Sequence, residues 1–242
     1  MSMKLAIFQL ESIFSGICTS AYPHEWDENH VSFLLMREFR RLFSHKRIRY
    51  TGFSKIVAWR SFKNRGKTES QYGDIALIVN IQFRSGEYLR GVACLEAKRS
   101  FPSGEFESVD LPQLQAINTN LPYAHLLFYY HKSKSLLLKF PFDGVFDTHM
   151  YVSPVNTARQ IFEQTKPHFD YKITRTSLSF SQFLFARAFW GLDLDFRDNI
   201  REDLINGYNN IINPAFLGEV NIFYDGQSPI ETNIGDIWEP IE

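Results

Sequence analysis

Gly73-Asp74-Ile75-Ala76-Leu77-Ile78-Val79-Asn80-Ile81-Gln82-Phe83-Arg84-Ser85-Gly86-Glu87-Tyr88-Leu89-Arg90-Gly91-Val92-Ala93-Cys94-Leu95-Glu96-Ala97-Lys98 is the stretch on which the reading of this 242-residue chain turns. Ile75 to Phe83 is rich in β-branched residues, Ser85-Gly86 supplies a turn, and Tyr88 to Lys98 returns as a second strand, so the segment reads as a hairpin. Side chains alternate with a period of two along a strand, which puts Glu96 and Lys98 on one face. In a hairpin the start of the first strand lies beside the end of the second, so Asp74 is expected close to Glu96 although 22 positions separate them. Two carboxylates and a lysine then converge at the end of an otherwise apolar strand, Val92-Ala93-Cys94-Leu95. The plainer alternative is an exposed ion pair between Glu96 and Lys98.

Working outward, Trp26 to Phe43 has helical spacing, with Asp27 as an N-cap and Val31, Leu34, Leu35, Phe39 and Leu42 on one apolar face. Ile56 to Trp59 reads as a short strand and Asn64 to Gly73 as a loop. After the breakers Pro102 and Gly104, Val109 to Asn118 is expected to be a short helix capped by Asp110. Ala124 to Tyr130 and Ser135 to Phe140 read as two further strands. The order implies an α/β domain with a central mixed β-sheet flanked by helices. Beyond about Tyr151 the character shifts: Thr157 to Thr165, the Phe-rich Phe180 to Phe189, and Arg197 to Tyr208 read as helices, and Val220 to Tyr224 as a strand. The expected division is a core over residues 1–150 and a mostly helical, acidic C-terminal extension over 151–242, packed on that core. Core packing is the expected role of the phenylalanines.

Gly73-Asp74 followed at hairpin distance by Glu96-Ala97-Lys98 resembles the paired motif of the PD-(D/E)XK, restriction-endonuclease-like nuclease superfamily, over roughly Asp27 to Phe140. Glycine stands here where that motif has proline. The resemblance implies a restriction-endonuclease-like sheet and hydrolysis of phosphodiester bonds assisted by Mg²⁺, with Mn²⁺ as a substitute. Asp74 and Glu96 are hard oxygen ligands suited to Mg²⁺, and the Ala97 carbonyl is a natural additional ligand. Lys98 would orient or help deprotonate the attacking water and stabilise developing charge. Glu28, near the start of the first core helix, resembles an acidic residue that completes the metal site, or else simply favours the helix dipole. Gln113 resembles a glutamine found on the helix after the lysine strand, or else is an exposed helical residue.

Charge is segregated along the chain. The formal net charge is −1, yet Arg37 to Lys67 carries a local net of +10 and Leu192 to Glu242 a local net of −9. So basic a segment suits a polyanion, with Arg37, Arg40, Arg41, Lys46 and Arg47 as candidate phosphate contacts beside the metal site; a solvated surface is the other reading. Nucleic acid is the expected partner, DNA before RNA, and the C-terminal extension could serve a homo-oligomer or another protein. Cys18 and Cys94 form no disulfide framework or zinc pair, which suits a reducing, cytoplasmic setting. Gln9 and Glu11 interrupt the N-terminal apolar run before a signal-peptide core is reached, and no run approaches the roughly 18 apolar residues of a membrane span. No histidine pair with zinc-hydrolase spacing and no phosphate-binding glycine loop is present. A DNA endonuclease, in defence against foreign DNA by analogy with the superfamily, is the leading expectation. A non-catalytic nucleic-acid-binding module, a nuclease acting on RNA, and an interaction subunit are the alternatives.

Overall fold

A computed structural model describes residues 1–66, 73–107, 111–138, 144–165, 171–207 and 213–242. The hairpin forms as its sequence requires. Strand β3 (Ile75–Gln82) pairs antiparallel with β4 (Tyr88–Arg99), and Ile75 lies opposite Leu95. At the turn, Gly86 N–H donates to the Phe83 carbonyl at 3.1 Å and Phe83 N–H to the Glu87 carbonyl at 2.8 Å. All but the last residue of β3 is buried, which a strand covered on both faces demands.

The first core helix also stands where expected. Helix α2 (Glu28–Leu42) is opened by Asp27, whose carboxylate accepts the His30 N–H at 2.9 Å, and it buries Val31, Leu35, Met36 and Phe39. Before it lies a helix not foreseen, α1 (Met3–Ala21), capped by Ser2. Its buried Ala6, Ile7, Leu10, Phe14, Ile17, Cys18 and Ala21 have helical spacing, so Gln9 and Glu11 interrupt the run only for a reader who requires it to be contiguous.

Two strands precede the hairpin, β1 (Lys46–Tyr50) and β2 (Phe53–Asn64), the second much longer than Ile56–Trp59. Polar residues such as Arg60 are tolerated in its interior because they find partners across the sheet. After the hairpin come α3 (Leu111–Asn120), β5 (His125–Leu138) and β6 (Gly144–Pro154). The proposed helix start at Val109 and cap Asp110, and the strand end at Phe140, lie outside the described residues. The two strands expected over 124–140 are one, β5, with an irregular register between Tyr129 and Lys134. Helix α4 (Val155–Thr165) follows, then β7 (Leu178–Ser179), α5 (Phe180–Ala186), α6 (Asp198–Asn206), β8 (Phe216–Phe223) and β9 (Trp238–Pro240).

The sheet is mixed, in the order β1-β2-β8-β3-β4-β5-β6-β7, with β9 also on β2. One face is covered by α1, α2 and α5, where Phe14, Phe39, Phe180, Phe183, Phe185 and Trp59 pack together. The other is covered by α3, α4 and α6 through Leu114, Ile117, Ala158, Phe162 and Leu204. The Phe-rich segment is therefore core, as its composition suggested.

The C-terminal residues do not form an extension packed on a finished core. Strand β8 lies between β2 and β3, antiparallel to the first and parallel to the second. Without it the hairpin has no neighbour on the β3 side. The strand order, which only long-range pairing sets, corrects a boundary at residue 150. Among the described residues no helix is long and apolar enough to cross a membrane.

Candidate active site

The site is built where β3 begins and β4 ends. Gly73 leads into β3 with φ +84°, and a Cβ there would lie 2.6 Å from the Leu95 carbonyl oxygen. That conformation is closed to proline, whose ring fixes φ near −65°, which explains why glycine stands before the aspartate. Asp74 N–H then donates to the Leu95 carbonyl at 2.9 Å, and the Asp74 carbonyl accepts from Phe216 N–H at 3.0 Å, so β4 and β8 both fix its backbone.

Glu96 and Lys98 share a face, as the strand period requires, and both are nearly buried at 4% and 9% exposure. Lys98 Nζ lies 2.8 Å from Glu96 Oε1 and 3.9 Å from Glu28 Oε2. Gln113, on α3, donates to the same Glu96 oxygen at 3.0 Å. Glu28, in the first turn of α2, accepts the Arg99 N–H at 3.0 Å. Asp74, Glu96, Lys98, Glu28 and Gln113 are thus gathered from four stretches of chain into one polar pocket. Ala97 N–H donates to Asp74 Oδ2 at 2.8 Å. The N–H and C=O of one strand residue point to the same side, so the Ala97 carbonyl faces the Asp74 side too.

Electrostatics make the pocket costly. Burial raises Glu28 to about 8, helped by the Asp74 and Glu107 carboxyls and opposed by Lys98. Burial and the Asp74 charge raise Glu96 to about 7 against the pull of Lys98 and Gln113. Asp74 is raised by burial, against the Ala97 N–H and Lys98. Burial pulls Lys98 down, but Glu96, Glu28 and Asp74 together outweigh it and hold the ammonium above its ordinary value. Three carboxyls, Glu96 buried and Asp74 and Glu28 half-buried, share one ammonium, a crowding of acidic groups that a divalent cation would offset.

Two members of the site escaped the sequence reading. Arg99 pairs with Glu107 at 3.4 Å and its guanidinium also donates to the Trp26 carbonyl. Glu107 reaches the Glu28 carboxyl. The signal lay in Phe101-Pro102-Ser103-Gly104-Glu105: Phe101 N–H donates to Glu105 O at 2.7 Å and Glu107 N–H to Arg99 O at 2.9 Å. A tight turn there brings Glu107 back opposite Arg99.

Oxygen donors from Glu28, Asp74, Glu96 and the Ala97 carbonyl are the chemistry Mg²⁺ takes. The hydrogen bonds above leave Asp74 Oδ1 and Glu96 Oε2 outside them. As the side chains stand, no group of three or more His, Cys, Asp or Glu among the described residues is spaced to hold a metal ion. The Lys98–Glu96 contact occupies one of the oxygens such an ion would use.

The basic segment is not beside this pocket. Arg40 and Arg41 lie at the far end of α2 from Glu28, roughly 18–20 Å along its axis. Arg47 lies opposite Ile56, which lies opposite Phe223, while Phe216 at the other end of β8 adjoins Asp74, a span of about 23 Å. Several of the segment's charges are also matched. Arg47 pairs with Asp225 at 2.7 Å, Arg65 with Glu239 at 4.0 Å and Arg60 with the fully buried Glu219. Arg37 and Arg41 both reach Glu38, at 3.5 and 2.9 Å. The opposite charges of the two segments meet because β8 and β9 flank β2. A basic track leading from Arg37, Arg40, Arg41, Lys46 and Arg47 into the carboxylate pocket is therefore not what the fold builds.

Comparison of the chain with protein-family models, curated proteins and solved structures returned no match.

Proposed function

We propose that the chain is a Mg²⁺-dependent nuclease, hydrolysing phosphodiester bonds of DNA, with Asp74, Glu96 and Lys98 as its catalytic core. The observation that carries this reading is that three carboxyls, Glu96 buried and Asp74 and Glu28 half-buried, converge with the buried Lys98 at the end of the hairpin, where desolvation makes them expensive to hold together. A structural ion pair needs one carboxylate, not three. Perturbed groups gathered in this way mark functional sites more often than structural ones.

Glu28, Asp74, Glu96 and the Ala97 carbonyl would hold the ion, which supplies charge neutralisation at the scissile phosphate. Lys98, held protonated by its acidic neighbours, orients the attacking water and faces the charge that builds on the phosphoryl oxygens. Gln113 fixes the Glu96 carboxylate, and Arg99 with Glu107 fixes Glu28. Incubation of the purified protein with plasmid DNA and with RNA, in Mg²⁺, Mn²⁺ or EDTA, tests the proposal. Cleavage of DNA that EDTA stops is the expected result. A folded protein that cleaves neither polymer in either metal overturns it.

A further inference from the structure

A cavity lies at the other end of α2 from Glu28. Along the outer edge of β2, β1 pairs with residues 53–57 and β9 with residues 62–64, which leaves Ala58–Ser61 without a strand neighbour on that side. Two isolated contacts bridge the gap: Trp59 N–H donates to the Phe43 carbonyl at 3.1 Å, and Ile241 N–H to the Ser61 carbonyl at 2.9 Å. Around this gap opens a cavity of about 610 Å³, whose walls include Arg40 and Arg41 from the last turn of α2, His45 from the following loop, Arg60 from β2, and Glu219 and Asn221 from β8. The volume is in the range of small-molecule sites.

Of the three arginines on these walls, two are paired with carboxylates and one is not. Arg60 is fixed by Glu219 and by the Thr232 carbonyl at 2.8 Å. Glu219, though acidic, is fully buried and matched: it also accepts from Asn80 at 3.3 Å and from Thr232 N–H at 3.2 Å. Arg41 is held by Glu38 through two bonds of 2.9 and 3.0 Å. Arg40 donates to the Ile241 carbonyl at 2.9 Å and has no carboxylate partner among the described residues. The other acid on the wall, Glu231, is exposed at the rim. Asn221 turns its carbonyl to Asn80 at 3.2 Å, leaving its amide N–H groups as donors. At the lip, His45 is held at φ 57°, a left-handed conformation uncommon for a residue with a side chain and often kept where a site requires it. The C-terminal end of a helix disfavours an anion, but the two arginines of its last turn offset that partial charge.

We infer that this cavity binds a phosphomonoester carried on a small organic body, gripped by Arg40, Arg41 and Arg60. Guanidinium forks from two elements suit a group with three terminal oxygens, and a cavity this large has room for more than the phosphate alone. The ligand chemistry is shared by a free nucleotide and by the 5′-phosphorylated end of an oligonucleotide. The site lies at the far end of α2 from the carboxylates, and its binding stands or falls independently of nuclease activity.

Calorimetric titration of the full chain, without divalent metal, tests the inference with adenosine monophosphate, adenosine, inorganic phosphate and a 5′-phosphorylated tetrathymidylate. Adenosine monophosphate should bind and adenosine should not. The double substitution Arg40→Gln with Arg41→Gln should weaken binding by about tenfold or more. Ser44→Trp, at an exposed position on the wall, should block the cavity without touching the arginines. Thermal melting establishes that both variants are folded. Tetrathymidylate binding as tight as the mononucleotide's assigns the phosphate to polynucleotide ends, and weaker binding assigns it to a free nucleotide. Absence of binding by folded wild-type protein at millimolar adenosine monophosphate and phosphate overturns the inference, as does affinity unchanged in both variants.

Discussion

The Asp74 carboxylate accepts the Ala97 backbone N–H at 2.8 Å. Strand pairing ends at Ile75 opposite Leu95, and beyond it a side chain takes the place of the next strand residue. Asp74 is thereby part of the sheet and part of the pocket at once. Replacing it separates the two roles.

Asp74→Asn keeps an oxygen for the Ala97 N–H but removes one of three mutually repelling carboxyls. Cleavage should fall by about a hundredfold or more. The melting temperature should rise, by roughly 3 °C or more, because a desolvated charge without a full partner is removed. Plasmid cleavage and a thermal melt read the two effects together; retained cleavage with a lowered melting temperature would mean that Asp74 serves the fold alone.

Among the described residues, Gln113 touches the site only through Glu96. Gln113→Ala should leave the melting temperature nearly unchanged and reduce cleavage by about tenfold, with the Mg²⁺ concentration for half-maximal rate shifted upward. Metal titrations of the rate on wild type and variant check this, and an unchanged metal dependence would count against a positioning role.

Gly73→Ala places a Cβ 2.6 Å from the Leu95 carbonyl at a backbone angle that side chains avoid. Destabilisation on the order of 2 kcal/mol or more is expected. Because Asp74 is the next residue, activity should fall further than the loss of folded protein explains. Urea unfolding and cleavage rates measured where the variant is still folded separate the two.

Truncation from Gly218 onward removes nearly all of β8 from between β2 and β3. The expected product is unfolded or aggregated, whatever the salt concentration, as circular dichroism and size-exclusion chromatography would report. A folded truncation with raised nucleic-acid affinity would instead support a self-inhibitory C-terminal stretch.

Glu11 is buried on α1, accepts from Ser181, and is pushed up to about 7 by burial. Its folded-state value lies above the ordinary 4.5, so the folded protein holds this proton more tightly than the unfolded chain does. Stability from this group is complete below about pH 4.5 and is lost as pH rises through 7, by roughly 3 kcal/mol in all. Glu11→Gln, which stays neutral, should flatten the decline of melting temperature between pH 5 and 8. A profile as steep as that of the wild type would place the titration elsewhere.

The sequence by itself determined the local half of this protein. Alternation and a Ser85-Gly86 turn specify the hairpin, the period of two puts Glu96 and Lys98 on one face, and Asp27 opens the helix that carries Glu28. These are contacts between near neighbours or across a short turn, and their rules are written in spacing. Tertiary structure decided the rest. That β8 enters the sheet beside β3, more than 130 residues away in the chain, follows from which buried strand edges remain to be paired, and spacing does not encode that choice. The same insertion brings the acidic C-terminal stretch onto the basic segment, so charges that in the sequence look free for a polyanion are partly matched within the fold. It also carries Arg47 to the end of the sheet opposite Asp74. Charge composition fixes how much charge there is, whereas the order of strands fixes what each charge faces.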